Sequence, residues 1–88
     1  MRVAGAAMRD AGIDDGDLVL VDRAITPAHG HVVIAVVEDE FVCRRVSRQG
    51  TELRLQGTDA GYPDILIDED QNVQIWGVVA QVIKSMPT

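Results

Sequence analysis

The side chains able to attack a substrate or to move a proton are few in this chain of 88 residues. Cys43, Ser47, Ser85 and a handful of threonines are the nucleophile candidates, and His29 and His31 are the two histidines. The histidines flank Gly30 in what reads as a turn, with no third ligand nearby. A metal site needs three or more convergent ligands, so the pair reads as a solvent-facing turn rather than a metal site or a general base. Cys43 falls in mid-strand and reads as an inert, buried thiol. As the single cysteine it can form no intramolecular disulfide and has no companions for a cysteine zinc site, which fits a reducing compartment. Asp10, Asp14, Asp15 and Asp17 lack the ligand order and the closing glutamate of a calcium loop. Like Asp68, Glu69 and Asp70, they read as solvated turns. Arg44, Arg45 and Arg48 are the one local concentration of positive charge. Alternation along a strand sends Arg44 and Arg45 to opposite faces, so one of them points inward or across a cleft.

The elements that must position these residues are strands. From Asp17 onward, short apolar runs are separated by turn residues. Leu18 to Val21 is the first run. Val32 to Val37 is apolar throughout, as expected of a strand covered on both faces, and Glu38-Asp39 turns the chain into Phe41 to Val46 as a hairpin. Thr51 to Gln56 alternates, with Leu53 and Leu55 on one face and Glu52, Arg54 and Gln56 on the other. Gly57 to Pro63 is a loop, Ile65 to Ile67 a short strand and Asp68 to Asn72 an acidic loop. The last strand runs from Val73 to Ile83, with Gly77 inside it as a bulge or bend. One helical turn is expected at Ala6 to Ala11, closed by Gly12. The whole predicts a mainly β fold of six or seven strands in a single domain over residues 1–88. Its core is expected to include Leu18, Leu20, Val33, Ile34, Leu53, Leu55, Ile75 and Val79.

Composition narrows the function. Apolar residues make up 47% of the chain, enough for one globular core or a share of an oligomer's core, and the net charge is −6. Affinity for the phosphate backbone comes from basic residues that release counterions, so direct nucleic-acid binding is not expected. With one Phe, one Trp and one Tyr, a stacking platform for bases is a poor fit. No apolar run approaches the roughly 20 residues that span a bilayer, and the N-terminus has no signal pattern, so the reading is a cytoplasmic protein without a membrane partner.

The order of segments says more. Ala4-Gly5-Ala6-Ala7-Met8 followed by the stretch Asp10 to Asp22 resembles the peptidase domain family shared by LexA repressors and UmuD-type mutagenesis proteins. The match continues through Ile25-Thr26-Pro27, His29-Gly30, Val32 to Ala35 and Glu40-Phe41. It resumes at Ala60-Gly61-Tyr62-Pro63, Trp76 to Val79 and Val82-Ile83-Lys84. Ile-Thr-Pro and Ala-Gly-Tyr-Pro stand nearer to the UmuD branch. The resemblance implies a small β domain of the LexA and signal-peptidase type, and in relatives it carries a Ser/Lys self-cleaving dyad. Carried across, the nucleophile position falls on Ala7, which has no oxygen to attack with. The general-base position falls on Arg44. A buried lysine can become a neutral amine, whereas a guanidinium stays protonated. Six residues precede Ala7, so the chain reads as a processed form without the cleavable arm.

By that resemblance the chain is a catalytically inactive, UmuD-like accessory protein of the SOS response and translesion DNA synthesis, without a cofactor. It would dimerise and join a Y-family lesion-bypass polymerase on a RecA filament. The final apolar strand needs cover, and Val78, Val79, Val82 and Ile83 are the expected dimer surface. Arg44 is expected to close the old cleft by pairing with a carboxylate. The alternatives are an inactivated form of a self-cleaving peptidase of this family, or the C-terminal domain of a LexA-like or phage repressor.

Overall fold

Alternation and turn chemistry produce six strands among the residues that the computed structural model describes, which are 1–3, 5, 8, 11–58, 61–67 and 73–84. They are β1 (Leu18–Asp22), β2 (Val32–Val37), β3 (Glu40–Gln49), β4 (Glu52–Gln56), β5 (Ile65–Leu66) and β6 (Val73–Ile83). All pair antiparallel in one sheet of order β1-β6-β2-β3-β4-β5. The expected runs at Val32–Val37 and Val73–Ile83 appear with the same bounds, and the mainly β fold is as expected. The β2–β3 connection is a two-residue hairpin. Glu38 and Asp39 both have positive φ, 50° and 68°, the geometry that matches the right-handed twist of the flanking strands.

β2 is central and its alternation feeds two cores rather than one. Ile34 packs with Val3, Met8, Ile13, Val19 and Cys43 on the first face. Val33 and Ala35 pack with Val46, Leu55 and Val78 on the second. A strand buried on both sides has no polar face, which is why Val32–Val37 carries no charge. The single core anticipated for so short a chain is therefore split by the sheet.

β6 was expected to need cover from a second molecule, but it lies inside the sheet between β1 and β2. Its neighbours supply the cover. The bulge expected at Gly77 is present: Ile34 pairs with Gly77 while Ala35 pairs with Ile75, leaving Trp76 as the extra residue. The extra residue lets Ile75 and Val78, three apart, both serve the second core. A side chain at Gly77 would collide with the Val21 side chain and lie 3.3 Å from the Asp22 carbonyl oxygen.

Several expected core positions are corrected. Leu18 and Leu20 are 40% and 50% exposed, and Val19 is buried in their place. Alternation fixes the period of a strand but not its phase. On the edge strand β1 the Val19 side faces Met8 and Ile13, while the Leu18 and Leu20 side lies outside both buried clusters. Val33, Ile34 and Leu55 are fully buried. Leu53, Ile75 and Val79 are half-buried and pack against the cores. Of the helical turn at Ala6 to Ala11, only the closure is described, where the Ala11 N–H donates to the Met8 carbonyl (3.1 Å). Ala6, Ala7, Arg9 and Asp10 lie outside the described residues.

Candidate functional site

β3 sets Cys43 and Arg44 on opposite faces of the sheet. Cys43 is buried in the first core, where loss of water raises its thiol to about 11, against a smaller opposing pull from Arg44. It stays protonated at neutral pH and is inert as a nucleophile, as expected.

Arg44 pairs with Val33 across β2 and so shares the second face. Its guanidinium carbon lies 5.0 Å from the centre of the Tyr62 ring, and Nη1 donates to the Cys43 carbonyl (2.8 Å). Nε is buried without a hydrogen-bond partner, an arrangement that costs about 1–3 kcal/mol. Burial pulls the Arg44 pKa below its ordinary value, while Cys43 and Tyr62 oppose the shift. The side chain still cannot serve as a base, since guanidinium does not give up its proton in proteins.

The carboxylate expected to pair with Arg44 is not found among the described residues. An aromatic face takes that place. Tyr62 lies between Arg44 and the N-terminal segment, because a Cβ added to Gly5 would sit 3.6 Å from the Tyr62 hydroxyl. The Tyr62 loop is tied to β4 by Asp64, which accepts from Gln56 Nε2 (3.2 Å) and lies 3.5 Å from Arg54 Nη1. Arg54 is held in turn by Glu52 (2.8 Å). Gly5, Tyr62 and Arg44 are thus neighbours, while Ala7, to which the resemblance assigns the nucleophile position, lies outside the described residues.

The other candidates are structural. His29 Nδ1 accepts the Arg48 N–H (2.9 Å) and His31 Nδ1 accepts the Ala28 N–H (3.0 Å), so both histidines fasten the turn before β2 to the end of β3 or to itself. Arg45 is exposed, in line with the split between Arg44 and Arg45. In the acidic stretch before β1, Asp14 and Asp15 are exposed as expected, Asp10 lies outside the described residues, and Asp17 departs from the solvated turn. Asp17 is only 4% exposed and accepts from Lys84 Nζ (2.6 Å), which also bonds Asp14 (3.0 Å) and the Gly12 carbonyl. This latch closes the end of β6 onto the segment entering β1. No local sequence signal marks a pair so far apart in the chain. Asp68, Glu69 and Asp70 lie outside the described residues.

Cys43 and Lys84 together set an alkaline limit. Both hold their protons more tightly when folded, so their contributions are complete below their ordinary values of 9.0 and 10.5 and fade as pH rises through the raised ones. For Cys43 the rise corresponds to roughly 2–3 kcal/mol. Urea midpoints measured from pH 8 to 11 should fall steadily for the native chain. Cys43→Ala should flatten the part of that fall between pH 9 and 11, and an unchanged slope would remove the thiol from the explanation.

Val78, one of the expected dimer positions, is buried in the second core, and Val79 is half-buried against the first. Val82 and Ile83 are exposed, and Ile83 pairs with Leu18 across β1.

The sequence pattern of the Peptidase S24-like family matches residues 1–80. The chain belongs to that family. Among its relatives, this S24-like domain is 36% identical over 88 residues to protein MucA of Salmonella typhimurium, covering 99% of this chain and 60% of the relative. Protein MucA of Escherichia coli gives the same figures. The LexA repressor of Cupriavidus taiwanensis is 34% identical over 85 residues, covering 97% of this chain and 39% of the repressor. The chain therefore spans about three fifths of the length of the MucA relatives and about two fifths of the repressor.

Proposed function

We propose that this S24-like chain is a non-catalytic, dimeric accessory subunit of the UmuD type, acting in the SOS response with a Y-family lesion-bypass polymerase. The observation that carries the reading is Arg44. The base position holds a permanent cation fixed by Tyr62 and the Cys43 carbonyl, an arrangement unable to accept a proton. Ala7 at the nucleophile position supports it from the sequence. The net charge of −6 suits a protein partner better than duplex DNA. Similarity to MucA across the chain favours this branch.

Dimerisation in this reading uses the exposed apolar strip that Leu18, Leu20 and Ile83 form on the paired strands β1 and β6. Sedimentation at tens of micromolar should give a dimer, and Leu20→Asp should shift it to monomer without loss of the β-sheet circular dichroism signal. The purified chain should retain a Y-family polymerase subunit on an affinity column, and Leu20→Asp should weaken that retention. A repressor domain is the second reading, favoured by the LexA similarity. Tight binding to duplex DNA by the full-length protein, with no polymerase retained, would select it and overturn the first.

A further inference from the structure

The first face of the sheet is covered unevenly. Val3, Met8 and Ile13 pack over Val19, Ile34 and Cys43, but Phe41, next to the β2–β3 hairpin turn, is left 58% exposed. Its ring stands edge-on to that of Trp76, with centroids 5.8 Å apart. Arg23 lies over the Trp76 ring, 4.7 Å from its centre, and donates from Nε to the Trp76 carbonyl (3.1 Å). Phe41 also lines a cavity of about 180 Å³, shared with Met1, Val3, Ile34, Cys43 and the exposed Arg2. The cavity has room for one apolar side chain and is smaller than the roughly 300 Å³ at which small-molecule pockets begin. Aromatic, Met and Arg side chains grouped around such a hollow are the composition of a protein-binding centre. Neither Arg2 nor Arg23 lies within ion-pair distance of a carboxylate among the described residues. Asp22 accepts the Ala24 N–H, Glu40 alternates with Phe41 to the opposite face, and Glu38 and Asp39 form the hairpin turn. Two cations thus flank an apolar hollow on a chain whose net charge is −6.

We infer that Phe41, Trp76 and Arg23, with the cavity beside them, form a docking surface for an acidic segment of a partner protein. One apolar side chain of that segment fills the cavity, and its carboxylates face Arg2 and Arg23. Charge complementarity selects this occupant. A nucleic acid would meet the same two cations, but it has no apolar side chain for the cavity and is repelled by the excess of acidic residues elsewhere on the chain. The surface lies on the Val19 side of β1, opposite the strip of Leu18 and Leu20. It uses neither Ala7 nor Arg44, so it does not depend on whether the chain cuts peptides.

Trp76 is the one tryptophan in the chain, so its fluorescence reports on this surface. Three peptides, each acetylated and amidated, serve as probes of the whole chain: Glu-Glu-Leu-Glu, Gln-Gln-Leu-Gln and Glu-Glu-Ala-Glu. The first should give a saturable change in Trp76 emission that weakens as salt is added. The glutamine peptide should bind roughly fivefold more weakly, and the alanine peptide, which cannot fill the cavity, about tenfold more weakly. Arg2→Gln combined with Arg23→Gln should erase the preference for glutamate over glutamine, and Phe41→Ala should erase the preference for leucine over alanine. Circular dichroism reports the folding of each variant. If Phe41→Ala does not fold, the leucine and alanine peptides compared on the native chain decide the same point. Equal binding of the glutamate and glutamine peptides, equal binding of the leucine and alanine peptides, or a glutamate preference that survives in the folded double variant would each overturn the inference. So would an oligothymidylate that gives the same emission change at lower concentration, which would make the surface a nucleic-acid site. Sedimentation in which folded Phe41→Ala alone converts a dimer to monomer would overturn it too, since the surface would then be a contact between copies of this chain.

Discussion

Gly77→Ala is expected to be among the most destabilising single substitutions in this protein. The bulge at Trp76 brings the backbone of β6 against β1, and a methyl group at position 77 would overlap the Val21 side chain and press on Arg23 Cγ (3.2 Å) and the Asp22 carbonyl (3.3 Å). Two of these neighbours cannot withdraw freely. The Asp22 carbonyl is backbone, and Val21 packs against the first core. Overpacking of this kind costs about 2 kcal/mol, which in a domain of this size lowers Tm by roughly 10 °C. A differential scanning fluorimetry shift of less than about 2 °C would show that the strands part without strain, since that corresponds to well under 1 kcal/mol. The consequence reaches the site, because β6 holds β2, and β2 holds the strand carrying Arg44.

Restoring the dyad is expected to give the largest change in activity. Ala7→Ser alone supplies a hydroxyl with no base to activate it, and Arg44→Lys alone supplies a base with nothing to activate. Both single variants should remain inert. The double variant combines a hydroxyl with an amine in the site where burial already pulls the Arg44 pKa down. A lysine there is pushed toward its neutral form by the same loss of water. Cleavage of a family cleavage-site peptide should then exceed that of either single variant by about 10²-fold or more and should rise with pH as the amine deprotonates. Activity in Ala7→Ser alone would mean that another group takes the proton.

Much of the sheet was legible because its signals are local. The uninterrupted apolar run Val32–Val37 identifies a strand covered on both faces, and Gly77 inside an apolar strand identifies a bulge. The burial of Cys43 and the split between Arg44 and Arg45 follow from alternation. What failed was phase and long-range pairing. Leu18, Val19 and Leu20 alternate equally well in either phase, and only the position of Met8 and Ile13 over one face of β1 decides which side is buried. The apolar residues of β6 call for cover, and nothing in them reveals that the strand inserts between β1 and β2. Nothing around Asp17 signals its burial, because its partner, Lys84, arrives from the far end of the chain. At the site, resemblance assigned Arg44 and Ala7, but the ring of Tyr62 as Arg44's neighbour is a product of the fold. A carboxylate was the reasonable expectation for an arginine in a cleft, and the sequence offers no sign that an aromatic face stands there instead.

On the function proposed above, the family scaffold persists here without its chemistry. Incubating the unmodified chain with a family cleavage-site peptide, with and without RecA filament and up to alkaline pH, and following the mixture by mass spectrometry, tests it most directly. The peptide should remain intact at the rate of the buffer control throughout. Cleavage that rises with pH and disappears in Arg44→Gln would contradict the account.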